Sequence, residues 1–222
     1  MKIAVLGTGI VGTTIATRLT KLGHQVFMGS RSAENETIAQ WRESAGPRAF
    51  AGTFREAASF GEVLFNCTNG ANSLQALRLA GADALGGKLL LDLANPLDFS
   101  GGAPPSLTVC NTDSLGEQIQ REFPTARVVK TLNTMNCEVM IDPYLVPGNH
   151  VVFICGNEAA AKQEASERLT EWFGWKPTNI LDLGDITAAR GTEMALPIWL
   201  RLWNTLGHGH FNFQIATKDN HK

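Results

Sequence analysis

Apolar residues along the chain fall into short unbroken runs separated by longer stretches of helical spacing. Ile3 to Leu6, His24 to Gly29, Arg48 to Phe50, Glu62 to Thr68, Lys88 to Leu93 and Arg127 to Asn133 read as six strands. Ile15, Ala16, Leu19 and Leu22 repeat at helical spacing, with Gly23 placed to close the helix. Ala33 to Ala45 is a polar helical segment, and Leu74 to Leu85 is a helix closed by Gly86-Gly87. Thr53 with Glu56, and Ser114 with Glu117, have capping-box spacing and open two more helices. Alternating strands and helices predict an α/β fold. Because Lys88 to Leu93 is apolar enough to be covered on both faces, the expected form is a doubly wound parallel sheet on the Rossmann plan.

Past the sixth strand the rhythm changes. His150 to Cys155 reads as a strand, Glu158 to Trp172 as an amphipathic helix, and Lys176 to Leu183 as a last strand. From Ile186 a helix carries Arg190, Glu193, Trp199, Arg201 and Trp203, with Pro197 placed to kink it. We therefore expect a Rossmann-type domain over 1–135 and a short C-terminal α/β extension over 136–222 packed on it. Four of the five tryptophans follow residue 170, a clustering that suits core or subunit contact, so 186–215 is the expected homodimer surface. Phe99 to Asn111, with Gly101-Gly102 and Pro104-Pro105, reads as a long irregular loop, with the length of a functional lid or of a disordered segment.

Composition narrows the partners. With 222 residues, 44% hydrophobic and 18% charged, the chain has the balance of a globular domain. A net charge of −2 argues against nucleic acid or an anionic membrane as a bulk electrostatic partner. Met1-Lys2 runs straight into the first strand, and no apolar run nears the ~20 residues of a membrane span, so a cytoplasmic protein is expected. Cys67, Cys110, Cys137 and Cys155 form no Cys-x-x-Cys pair and read as reduced thiols. His208-Gly209-His210 lacks a third ligand nearby, so no metal site is assigned. His150, ahead of a strand, reads as a surface residue, and Asp182 and Asp185 as caps of the following helix.

The chemistry concentrates behind the first strand. Gly7-Thr8-Gly9-Ile10-Val11-Gly12 is a Gly-x-Gly-x-x-Gly turn lying between a strand and a helix, the context that a dinucleotide-binding unit requires. Gly7 permits the turn, Gly9 lets a pyrophosphate approach the backbone, and Gly12 lets the helix lie close on the strand. The helix N-terminus offers free N–H groups to the phosphates. Where an NAD-binding unit places an acidic residue on the ribose, this chain has Gly29-Ser30-Arg31-Ser32. Arg31 can clamp a 2′-phosphate and Ser30 can donate to it, so NADP(H) is the expected coenzyme. Thr68-Asn69-Gly70-Ala71-Asn72-Ser73 and Asn95-Pro96 leave strand ends and should flank the nicotinamide. These segments offer amides and hydroxyls rather than an acid–base pair, so no catalytic side chain is assigned.

With these motifs placed, the chain resembles the deazaflavin-dependent NADP oxidoreductases, whose named activity is reduced coenzyme F-420 (F420):NADP⁺ oxidoreductase. It is also similar to the cytoplasmic reductase domain of the STEAP metalloreductases. The likeness takes in Val129 to Thr134, Val152 to Asn157, Leu181 to Gly184, Arg190, Glu193 and Pro197. It implies NADP phosphates on Thr8 to Val11, the 2′-phosphate on Ser30 and Arg31, and the nicotinamide near Thr68, Asn69, Ser73, Asn95 and Pro96. It further implies that Asn133, Met135, Cys137 and Arg190 line an acceptor pocket for F420 or a flavin (FMN or FAD). Two departures stand out. Asn35 replaces a lysine that often supports the 2′-phosphate, and Asn133-Thr134-Met135-Asn136-Cys137 is closer to the STEAP-like form than to the deazaflavin enzymes. The implied reaction is hydride transfer between NADP(H) and a small-molecule electron acceptor. The alternatives are an NADPH sensor without turnover, or a reductase of a small imine or carbonyl. Arg190 is open to a second role, an ion pair with Glu193.

Overall fold

The computed structural model describes residues 1–218. Its order is β1 (Lys2–Leu6), α1 (Ile10–Lys21), β2 (Gln25–Ser30), α2 (Glu36–Ala45), β3 (Ala49–Thr53), α3 (Phe54–Phe60) and β4 (Val63–Asn66). Then come α4 (Ser73–Ala80), α5 (Ala82–Leu85), β5 (Leu89–Asp92), β6 (Leu97–Asp98), β7 (Ser106–Leu107), α6 (Leu115–Glu122) and β8 (Arg127–Thr131). The chain continues through α7 (Cys137–Ile141), β9 (Val152–Cys155), α8 (Ala159–Arg168), β10 (Ile180–Asp182), α9 (Ala189–Met194) and α10 (Leu196–Leu206).

The main sheet runs β3-β2-β1-β4-β5-β8-β9-β10. Every neighbouring pair is parallel except β8 and β9, where Lys130 faces Cys155 and Thr131 faces Ile154. The α/β, mostly parallel Rossmann-type sheet expected from the strand pattern is therefore present, with one reversal. The 132–151 connection contains short α7, which packs on α1, and a 3-10 turn at Pro143–Leu145, and not a crossover helix along the sheet. A parallel strand needs such a crossover. The sheet is continuous across residue 135, because β9 and β10 extend its β8 edge.

Strand alternation divides the core. Ile3 and Val5 of β1 join Ile15, Leu19, Phe65 and Trp172 on one face, while Ala4 and Leu6 join Ala57, Leu77 and Ile119 on the other. Trp172 and Trp175 lie fully in the core, and a five-residue π-helical turn, Leu169–Phe173, ends the helix begun by α8. No helix among the described residues is long and apolar enough to cross a membrane.

Several local expectations are corrected. Leu74 to Leu85 is two helices, because Gly81 has φ of +94°, which no helical residue adopts. The irregular 99–111 segment contains strand β7, which pairs with β6 as an antiparallel hairpin whose Thr108 N–H donates to the Pro96 carbonyl at 2.8 Å. The polar segment becomes helical only at Glu36, capped by Asn35. Thr53 and Glu56 form the full capping box, whereas Glu117 accepts from the Ser114 hydroxyl and from Arg190. The last helix breaks at Ala195, two residues before Pro197, into α9 and α10. His150 is 4% exposed, its ring held between the Pro143 carbonyl and Asn212, so it is a core residue and not a surface one.

Candidate functional site

In a doubly wound sheet the crevice opens where neighbouring strands send their chains to opposite faces, here between β1 and β4. The glycine turn sits at that point. Gly7 has φ of +120°, and its N–H donates to the Gly29 carbonyl at 3.0 Å, pinning the turn to the end of β2. A Cβ on Gly12 would stand 2.2 Å from the Gly7 carbonyl oxygen, so only glycine lets α1 begin so close to β1. Gly9 differs: it has open space around it and is exposed. No side chain caps α1 and no acidic residue stands in its first turn. The first-turn N–H groups and the positive end of the helix therefore face the crevice uncompensated, a ready anion site.

A cleft of about 470 Å³ runs from this turn across the end of β2. Arg31 lines it, exposed, with no hydrogen bond or ion pair to any other described residue. Ser30 lines it too but is 4% exposed, and its hydroxyl donates to the Ser32 carbonyl. The donor expected of Ser30 is thus committed inside the loop. Ser32 and Asn35 border the same wall, with Asn35, which stands where a supporting lysine is common, capping α2; Ser32 is the neighbour to which sequence gave no role. Phe54, Ala76 and Leu79 supply an apolar end to the cleft, with Leu79 left 49% exposed.

Cys67, Thr68 and Asn69 border both this cleft and a second one of about 170 Å³, which extends over β4 and β5. Val11, Gly70, Asn95, Leu97 and Phe99 line the second cleft. Two backbones touch here: a Cβ on Gly70 would stand 1.9 Å from the Asn95 carbonyl oxygen. Phe99, 57% exposed on the hairpin, and Ile10, 75% exposed at the start of α1, are large apolar groups without cover beside the crevice. Pro96 is buried behind it.

Behind the clefts lies a sealed polar network. Asn66 donates to Ser73 Oγ at 2.6 Å and to Asp92 Oδ1 at 2.8 Å, and Thr68 Oγ1 donates to Asn66 Oδ1 at 2.7 Å. Ser73, fully buried, supports Thr68 from behind and lines neither cleft. Lys130 Nζ meets Asp92 Oδ2 and Glu193 Oε1, each at 2.8 Å, and also donates to the Ala94 carbonyl. Burial pushes the Lys130 pKa down, but the two carboxylates more than offset this and hold it above the ordinary lysine value. Glu193 accepts from the Leu115 and Gly116 N–H groups at the start of α6, at 2.8 and 3.0 Å.

The residues proposed for the acceptor separate. Asn133 exchanges two 2.9 Å hydrogen bonds with Asn95: its side chain donates to Asn95 Oδ1, and its carbonyl accepts from Asn95 Nδ2. Just before it, Leu132 holds φ of +61°, a conformation that costs a branched residue of order 1–3 kcal/mol. Met135 and Cys137 are 5% and 6% exposed, packed in the core. Arg190 pairs with Glu117 at 2.6 Å and not with Glu193, and it lines neither cleft. Its guanidinium holds the Glu117 carboxyl below the ordinary glutamate value. Among the described residues, no group of three or more His, Cys, Asp or Glu side chains could hold a metal, and His210 pairs with Glu138.

Comparison with known proteins adds the following. Residues 2–96 match the family described as NADP oxidoreductase, coenzyme F420-dependent. A solved structure from Arthrobacter sp. FB24, provisionally assigned as an F420-dependent NADP reductase, is 52% identical with a TM-score of 0.91, covering 98% of this chain and 100% of that one. The F420-dependent NADP reductase of Methanothermobacter marburgensis is 28% identical over 91% of this chain and 92% of its own. Metalloreductase STEAP3 of Rattus norvegicus is 32% identical over 90% of this chain, which spans only 37% of that protein's length.

Proposed function

Because the chain belongs to the coenzyme F420-dependent NADP oxidoreductase family, we propose that it moves a hydride between NADP(H), held across the two clefts, and a ring acceptor, F420 or a flavin. One observation carries the coenzyme reading. The guanidinium of Arg31, unpaired among the described residues, and the uncapped N-terminus of α1 border one cleft, with no carboxylate at the end of β2. The geometry fits the coenzyme: Gly9 leaves room for the pyrophosphate, Arg31 and Ser32 would take the 2′-phosphate, and Phe54 and Leu79 would take the adenine.

Held there, NADPH would supply a hydride, which would pass with its electron pair to the acceptor ring and leave NADP⁺. The chain's own residues orient and exclude water. Thr68, Asn69 and Asn95 would position the carboxamide, and Gly70 lets the two loops close against each other. Phe99 and Ile10 offer an apolar border for an acceptor ring. Asn133 would reach it only through Asn95, while Met135 and Cys137 back the wall from within the core. No general acid or base is invoked. The exposed Ile198, Trp203 and Leu206 of α10 favour a homodimer through that helix, and sedimentation showing a monomer would remove that assignment. The four free cysteines suit the reducing cytoplasm.

The test is Arg31→Ala. Hydrogen bonds to a charged partner contribute about 1.5–3 kcal/mol, so NADPH affinity should fall roughly 10- to 150-fold while NADH affinity holds. Equal losses for both coenzymes would remove the NADP assignment. NADPH oxidation on adding F420 or FMN tests the acceptor. Tight NADPH binding with neither acceptor reduced would favour the sensor.

A further inference from the structure

A lysine with no exposed side-chain surface, in the centre of an apolar sheet, calls for a reason. Charge pairing alone is a weak one, because replacing a buried ion pair by apolar residues of similar volume is often neutral or stabilising. Lys130 does something that an apolar residue cannot. An ammonium has three donors, and here they meet Asp92, Glu193 and the Ala94 carbonyl. Ala94 is itself buried, and its N–H donates to Asp92 Oδ1 at 3.2 Å. Both main-chain polar groups of Ala94 are thus held by the Lys130–Asp92 pair. The next residue is Asn95, whose carbonyl abuts Gly70 and whose amide clasps Asn133. Asp92 also fixes Asn66, and through it Thr68.

On the reading that these clefts hold NADP(H), we propose that Lys130 is a positioning residue for the nicotinamide. By clamping the Ala94 peptide and Asp92 it sets Asn95 and Thr68 in the crevice, without touching the coenzyme. The phosphate turn and Arg31, which would carry most of the affinity, share no hydrogen bond with the cluster among the described residues. Glu193 is the outer arm of the cluster. It secures Lys130 to α6, but the clamp on Ala94 does not pass through it.

The experiment compares two purified variants with the intact protein. Asp92→Asn/Lys130→Met removes the clamp while leaving Glu193 bonded to the Leu115 and Gly116 N–H groups. Glu193→Gln removes only the outer arm. NADPH affinity is measured by calorimetry, nicotinamide rigidity by the fluorescence lifetime of bound NADPH, and turnover with F420 or FMN as acceptor. In the double variant, turnover should fall about 10- to 100-fold, the scale of an ångström-size misplacement. The nicotinamide lifetime should shorten while NADPH affinity is unchanged. Glu193→Gln should lower the melting temperature and leave both site readouts as they were. Should the double variant fail to fold, Asp92→Asn alone keeps Lys130 paired with Glu193 and should show the same split to a smaller degree. An unaltered lifetime in the clamp variants, equal site losses in Glu193→Gln, or a parallel loss of affinity would each overturn the proposal. A protein that binds NADPH but reduces neither acceptor would refute the hydride-transfer reading, and the lifetime would still decide the role of Lys130. If the intact protein does not bind NADPH, both fall.

Discussion

Two glycines three residues apart in the same turn should respond to alanine in opposite ways. A methyl group at Gly12 would stand 2.2 Å from the Gly7 carbonyl oxygen and 3.0 Å from its carbon, and both are backbone atoms in a pinned turn. Relief requires α1 to retreat from β1 by more than an ångström. Overpacking of this kind typically costs about 1–3 kcal/mol. For a chain of this size each kcal/mol lowers the melting temperature by roughly 2–4 °C, so Gly12→Ala should melt several degrees early. Its coenzyme affinity should fall as well, because the helix N-terminus moves with the helix. Gly9 has φ of −73° and ψ of −178°, a conformation open to any residue, and nothing lies within 4 Å of its would-be Cβ. Gly9→Ala should therefore melt within about 0.5 kcal/mol of the parent. The methyl would instead occupy the space through which the pyrophosphate reaches the amides. Losing two charge-assisted hydrogen bonds, at about 1.5–3 kcal/mol each, predicts at least a roughly 100-fold loss of NADPH affinity. Scanning calorimetry and titration calorimetry on the two variants separate the effects. A Gly9→Ala protein that binds NADPH as tightly as the parent would refute the placement of the phosphates.

Two further outcomes follow from burial and charge. Burial pushes the Cys67 and Cys155 thiols up, Cys155 to about 12, and Cys137 is also buried, while Cys110 is exposed. A thiol-specific colour reagent at neutral pH should therefore modify one cysteine in the native protein and four after denaturation, and fast labelling of two or more would contradict the packing. Arg190 holds the Glu117 carboxyl below its ordinary 4.5. The stability this pair contributes is then complete above that value and is lost as pH falls through the lower native pKa. Arg190→Met should cost stability in urea unfolding at neutral pH, with a deficit that shrinks in acid. A deficit that grew in acid would reverse the assigned sign.

How far the chain could be read depends on the range of the forces involved. The strands and the phosphate turn were legible because apolar runs and glycine positions are local consequences of pleating and close approach. The hairpin of β6 and β7 was not, since two-residue strands in a segment rich in Gly and Pro carry no periodicity. Nor was the reversal at β9, which depends on what a connection lacks. The Ser30-Arg31 pair was legible as a motif but divides in three dimensions: Ser30 ends β2 beside Thr53 and commits its hydroxyl to the Ser32 carbonyl, while Arg31 leaves the sheet for the cleft.

The C-terminal charges show the same limit from the other side. Arg190 and Glu193, three residues apart on one helix, look like partners. Yet α9 presents them to different neighbours, Glu117 and Lys130. The close packing of α6 on α9, where a Cβ on Gly116 would come within 2.9 Å of Ala189, brings both pairs together. Lys130 reads as an interruption in an apolar strand until β5 places Asp92 beside it and α9 lowers Glu193 onto it. A buried cation has meaning only through what surrounds it, and here those surroundings include the peptide that shapes the floor of the crevice.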